Sequence, residues 1–296
     1  MAYLSRRTKA DKIFDMVNIV ILSIILISVI YPLIFVVSAS FSDPVKVLQG
    51  AVWLLPKGLN VESYELVFSH DQIMVGYRNT IIYTLLGTSI NLVMTILGAY
   101  PLSRRDFRAR SFFTFLFAFT MFFSGGLIPT YLVMKQLGFI NTIWAIVLPG
   151  AVSVWNMTIM RNFFQNSVPF ELQEAAMIDG CGNVTLLLKV VLPLSTPIIA
   201  VMIMFYGVGH WNAFFNALVY LSDEKKYPLQ LVLRSILIQE QTGEIIAADD
   251  SAIRRQMMAE IIKYASIVVA SVPVLILYPF LQKYFVHGVM VGALKG

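Results

Sequence analysis

Charge is the scarcest property of this 296-residue chain. Only 13% of its residues are Asp, Glu, Lys or Arg, while 58% are hydrophobic and the mean hydropathy is +0.75. A soluble domain carries about 25% charged residues, so a water-soluble fold is excluded. One cysteine, Cys181, rules out an internal disulfide framework and a Cys-based metal cage. No G-x-x-x-x-G-K-[ST] loop occurs, so the chain lacks the usual phosphate cradle for hydrolysing ATP. Its three histidines, His70, His210 and His287, are far apart, and no H-E-x-x-H, paired aspartate or G-x-S-x-G element occurs in an apolar run to offer catalytic machinery. The net charge of +5 sits in short clusters beside apolar runs, which suits a membrane surface rather than nucleic acid.

What fills the chain instead is six long stretches without a single Asp, Glu, Lys or Arg: 16–42, 79–103, 111–134, 136–160, 190–222 and 264–282. The shortest has 19 residues, and about 20 span a bilayer as helix. In lipid every backbone group needs an internal partner, so the runs are expected to be helices, kinked at Pro32, Pro129, Pro149, Pro193, Pro197 and Pro273. The expectation is one all-α, polytopic membrane domain over 1–296 with six transmembrane helices. Arg6, Arg7, Lys9 and Lys12 before the first run also resemble a signal-peptide start, but the apolar stretch is about twice a signal core of roughly 7–15 residues, so it reads as a retained span.

Positive charge sets the orientation. With the N-terminus inside, the inner segments hold 12 Lys/Arg and 6 Asp/Glu against 10 and 11 outside. The short turn Arg104-Arg105-Asp106-Phe107-Arg108-Ala109-Arg110 weighs most, since short loops govern topology. Both termini are therefore expected inside, with outer segments at 43–78, containing Trp53 and Pro56, and at 223–263, which is rich in acids and amides. Residues 252–263 read as a helix with Ile253, Met257 and Ile261 on one face, and 241–251 as a loop.

The inner loop at about 166–192 is the most informative stretch. Ser167 and Pro169 signal a helix start, and Glu171 and Glu174 fall where the helix dipole favours negative charge. Gly180 and Gly182 stop that helix. Asn183 can cap a second one, Val184 to Val191, ending at Leu192-Pro193. Phe170, Ala175, Ile178 and Leu186 to Leu188 are expected to be exposed and to form a docking knob.

Glu174-Ala175-Ala176, Asp179-Gly180 and Leu192-Pro193 together resemble the EAA motif of importer permeases. The order of spans resembles the MalG-like carbohydrate branch of the MetI/MalG-like type I importer fold. Ser42-Asp43-Pro44, Phe123 to Thr130 and Arg161-Asn162-Phe163-Phe164 look like its LplC/YtcP subgroup. Cys181 stands where many relatives carry Ala. The resemblance implies that Glu174, Ala175, Ala176, Asp179, Gly180 and Pro193 belong to a loop that fits a groove on a cytosolic ATPase. Small Ala side chains would allow close approach, Gly180 the turn, and Glu174 a pairing with a basic partner residue. It further implies a bacterial cell-membrane complex with a second MalF/LplB-like permease, two ATPase subunits that bind the ATP and Mg, and an external solute-binding protein. This chain would need no cofactor, and much selectivity would lie in its partners.

Trp155, Asn156, Tyr206, His210, Trp211, Asn212 and Asn216 are candidates for an oligosaccharide pathway, since sugar rings stack on aromatic faces and hydroxyls take amide hydrogen bonds. They serve equally as interfacial aromatics and inter-helix amides. The alternative to an ATP-driven importer is an ion-coupled secondary transporter, disfavoured because the apolar runs lack carboxylates.

Overall fold

The computed structural model describes residues 8–243, 262–279 and 282, and no strand occurs among them. The reading of 252–261 as helix and most of the 241–251 loop therefore lie outside the described residues. In chain order the helices are α1 Lys9–Ser40, α2 Pro44–Leu48, α3 Glu62–Ser69, α4 Asp71–Ser103, α5 Arg110–Phe122, α6 Leu127–Gln136, α7 Trp144–Val147, α8 Val154–Ser167, α9 Phe170–Ile178, α10 Asn183–Leu186, α11 Leu192–Leu194, α12 Thr196–Trp211, α13 Phe215–Tyr220, α14 Leu229–Gly243 and α15 Ile262–Pro279. Contacts group the chain into two compact units: Met1–His70 with Ser235–Ser271, and Asp71–Arg234 with Val272–Gly296.

In the first unit α1 begins with a capping box between Thr8 and Asp11, which satisfies two of its free N–H groups. Its most apolar window is wholly exposed. The serine-rich end of α1 is packed: Ser38 donates to the Leu54 carbonyl at 2.6 Å, Ser63 to the Ser40 carbonyl at 2.8 Å, and the Phe41 ring lies 4.8 Å from that of Tyr64. Small hydroxyl side chains let the 43–70 segment approach the helix backbone closely while pairing its polar groups.

The second unit is built on α4. Its buried residues, including Gly76, Thr80, Gly87, Asn91, Thr95 and Ala99, recur every three or four positions and so form one face. Ile81, Leu85, Val93 and Leu97 are exposed. A small, polar buried face beneath an apolar exposed one suits a helix whose outer solvent is lipid. Against that face pack α12 and α8, around Met160, Phe164, Val191 and Met202. Thr95 and Tyr206 share a buried hydrogen bond of 2.6 Å.

Among the described residues, α1, α4 and α15 are individually long and apolar enough to cross a membrane. Two further candidates are bent pairs: α5 with α6 at 112°, and Asn183–Leu194 with α12 at 84°. The kinks expected at prolines are thus partly misplaced. The third run breaks at Gly125-Gly126, where Gly126 has φ +81°, a conformation that side chains with a Cβ resist. Pro32 and Pro273 lie inside helices. The fourth run, 136–160, is not one helix, because residues 148–153 are non-helical and Gly150 has φ +80°. Its freed carbonyls find a partner: the Asn91 amide donates to Gly150 and Ala151, each at 2.9 Å. Irregular backbone at membrane depth needs such protein partners.

Candidate functional site

The motif loop folds as a short helix held open to solvent. Pro169 occupies the N-cap of α9, so its missing N–H costs nothing there. Glu174, Ala175, Asp179 and Gly180 are exposed, Ala176 half-buried, and Pro193 exposed. Gly180 adopts φ +78°. Its N–H donates to the Met177 carbonyl, and the Cys181 N–H reaches back to the Ala176 carbonyl at 2.9 Å. This is a Schellman closure, which requires a left-handed residue at the position Gly180 holds.

Several details differ from expectation. Gly182, not Asn183, is the N-cap of α10, with no side-chain cap. The second helix does not end before Leu192-Pro193. It runs on as a π-helical turn over Leu187–Val191 and continues through α11 to a bend at Ser195. Pro193 has no N–H to offer Lys189, and a π turn accommodates the extra residue in front of it. Leu186 and Leu187 are buried, while Ile178 and Leu188 are exposed as expected, Ile178 at 86%, and Val184 joins them. The side chain of Phe170 lies outside the described set.

What holds this loop was not read from the sequence. Arg104, whose side chain is 6% exposed, grips Asp106 through Nε at 2.9 Å and Nη2 at 2.8 Å. Its Nη1 donates to Gln173 Oε1 at 3.1 Å and its Nη2 to Met177 Sδ at 3.3 Å, both on α9. The Tyr100 hydroxyl donates to the Asn183 carbonyl. Arg161 and Gln165 of α8 donate to the Leu102 and Ser103 carbonyls, which end α4 without helical partners. Hydrogen bonding from Arg104 holds the Asp106 carboxyl below its ordinary value. A cavity of roughly 370 Å³ lies alongside, bordered by Tyr100, Arg104, Phe107, Val184 and Leu187. A charge run that looked only like a topology signal contains the anchor of the motif loop.

The pathway candidates do not converge. Tyr206 is buried against Thr95. His210 Nε2 meets Asn91 Oδ1 at 2.6 Å; because the Asn91 amide nitrogen already serves two carbonyls, its oxygen accepts and His210 Nε2 carries the proton. Trp211 packs edge-on to Tyr77 at 5.7 Å and borders an apolar cavity of roughly 390 Å³ with Thr84, Thr88 and Leu277. Trp155 is 65% exposed. The Asn156 backbone N–H donates to Ser153 Oγ at 3.3 Å, the N-cap bond of α8. Asn212 is exposed and donates to the Val208 carbonyl, and Asn216 is half-buried. Gly87 shares this region unannounced by any motif: a Cβ there would lie 2.5 Å from the His210 ring.

No protein-family model matches the chain. Protein LplC of Bacillus subtilis is 40% identical over 98% of this chain and 97% of its own length. The polygalacturonan/rhamnogalacturonan transport system permease protein YtcP of the same organism is 40% identical, over 97% of this chain and 99% of its own. A chain in the crystal structure of a bacterial ABC transporter involved in the import of the acidic polysaccharide alginate superposes with a TM-score of 0.85 at 34% identity, covering 96% of this chain and 100% of that one. With near-full-length identity to both permeases and the same all-helical architecture, the chain belongs to the family of ATP-binding-cassette importer permeases that includes LplC and YtcP, a non-catalytic, integral membrane component.

Proposed function

We propose that this permease works with a second, MalF/LplB-like permease to pass an acidic oligosaccharide, handed over by an external binding protein, across a bacterial cell membrane. The observation that carries the reading is the agreement of two relatives matched over almost the whole chain. One is named for polygalacturonan and rhamnogalacturonan, the other for alginate, and polygalacturonan and alginate are both uronic-acid polymers. Relatives named for arabinooligosaccharides and for melibiose, raffinose and stachyose are 26% and 25% identical. The direct test is uptake by cells whose only importer is the assembled complex. Oligogalacturonate or alginate oligomers should accumulate and compete with each other, and neutral oligosaccharides should not. Uptake of raffinose in preference to both would overturn the acidic assignment.

The α9 loop is the proposed seat of a cytosolic ATPase, which would bind the ATP and Mg. Glu174, Ala175, Ala176, Asp179 and Gly180 would face the groove of that partner, and Pro193 would set the bend behind them. The exposure of these residues, together with Ile178 and Leu188, supports this reading. The six-span topology with both termini inside is supported by Arg104, which belongs to the cationic 104–110 turn and bonds to α9, so the two lie at one end of α4. At the other end, Asn79 and Tyr83 hold the carbonyls of Lys225, Tyr227 and Lys226. Segment 223–263 would then face outward, toward the binding protein.

A further inference from the structure

We infer that Arg104 is a positioning residue for energy coupling: it clamps α9 to the inner end of α4, so that a push on the docking loop reaches the span it is tied to. The inference rests on the reading of α9 as the ATPase seat.

The geometry is that of a two-sided fork. A guanidinium is planar with five N–H donors in fixed directions. One edge of Arg104 grips both oxygens of Asp106, two residues away in the turn after α4. The remaining donors reach across sixty-nine and seventy-three positions of sequence to Gln173 and Met177. Those two acceptors are four residues apart on α9, on one helical face. Glu174, Ala175 and Ile178 lie on solvent-exposed positions of the same short helix. α9 therefore has one side held by Arg104 and another side free to meet a partner.

Without this clamp α9 has little to hold it. The nine-residue helix has no side-chain N-cap, and none of its residues from Glu171 to Ile178 is buried. Isolated helices of that length are marginal in water. The Arg104 backbone N–H donates to the Pro101 carbonyl at 3.1 Å, which fixes the residue's main chain to the end of α4. A docking element that could rock on its tether would absorb motion; one bonded to α4 passes it on. Lysine would keep the charge and the topology signal but cannot grip Asp106 and α9 at once.

The test uses the full importer, with partner permease, ATPase and binding protein, in vesicles. Uptake per ATP hydrolysed and the ratio of binding-protein-stimulated to unstimulated ATPase activity are measured for Gln173→Leu, Gln173→Glu, Arg104→Lys and Gly180→Trp. Both coupling measures should fall about five-fold, the low end of usual coupling factors, in Gln173→Leu and Arg104→Lys. Gln173→Glu, which keeps an acceptor at the same reach, should retain them. A role confined to folding would lower the yield of assembled complex and leave both measures, taken per complex, unchanged. Wild-type coupling in Gln173→Leu and Arg104→Lys, with coupling lost in Gly180→Trp, overturns the role of Arg104 alone. Normal coupling in Gly180→Trp removes the docking role of α9 and this inference with it.

Discussion

Asn91 shows at the scale of single residues why a polar side chain belongs at the centre of an apolar helix. It is 2% exposed and uses its whole amide: two donations to the carbonyls of a broken stretch and one acceptance from His210. Replacing it by leucine leaves both carbonyls unpaired where water is scarce, at about 1–3 kcal/mol each. Asn91→Leu is therefore expected to lower the unfolding midpoint of the purified protein in detergent, and an unchanged midpoint would mean that water serves those carbonyls. Asp106 gives a pH signature. Its folded pKa lies below the ordinary 3.8, so the stabilisation it lends is fully present above that value and lost as pH falls through the lowered one. The stability difference between wild type and Asp106→Asn should stay constant from about pH 5 to 8 and shrink below about pH 4; a difference that changes near pH 6 would assign the effect to another group. Neither role was legible in sequence. Asn91 lies in an uncharged run with no motif, and Arg104 looks identical to Arg105 and Arg108 until the chain folds α9 against it.

At the scale of elements, the motif loop was readable because its signals are local. Pro169 starts α9 and Gly180 ends it within one sequence window, and a left-handed closing residue is something only glycine adopts cheaply. Gly180→Ala keeps the loop free of clashes, since nothing lies within 4 Å of the added Cβ, but leaves a strained φ of +78°. It should cost about 1 kcal/mol and show as faster amide exchange over the last turn of α9 with the transmembrane core unaffected. Exchange unchanged in that turn would mean that the closure is not held by Gly180. The broken runs were not readable. Hydropathy measures whether a stretch is apolar, not whether it is continuous, so 111–134 and 136–160 score as spans although Gly126 and Gly150 interrupt them. The opposite error occurs at α4, which begins at Asp71, eight residues before the uncharged run opens at 79, and carries Arg78 inside the helix. Polar residues ended the run but did not end the helix.

At the scale of the whole molecule, the chain exposes apolar faces that lipid and a second permease would cover. The central window of α1 is entirely exposed, and α5 presents Phe112, Phe115 and Phe122. The proposed topology, six crossings with both termini inside, would place the 104–110 turn and the 43–78 segment on opposite sides. Arg108 and Glu62 are both exposed. With Cys181 replaced, Arg108→Cys should react with an impermeant thiol reagent only after the inner side is opened, and Glu62→Cys in intact cells; labelling of Arg108→Cys in intact cells would reverse the orientation. The most direct test of the central claim, that this permease is driven through α9 by a partner ATPase, is uptake of labelled oligogalacturonate into vesicles carrying the assembled importer with either wild-type chain or Gly180→Trp. The wild-type complex should accumulate the sugar only when ATP and binding protein are supplied, and the Gly180→Trp complex, inserted and paired to the same extent, should not. Equal uptake by the two complexes, or uptake driven by an ion gradient without ATP, would contradict the account.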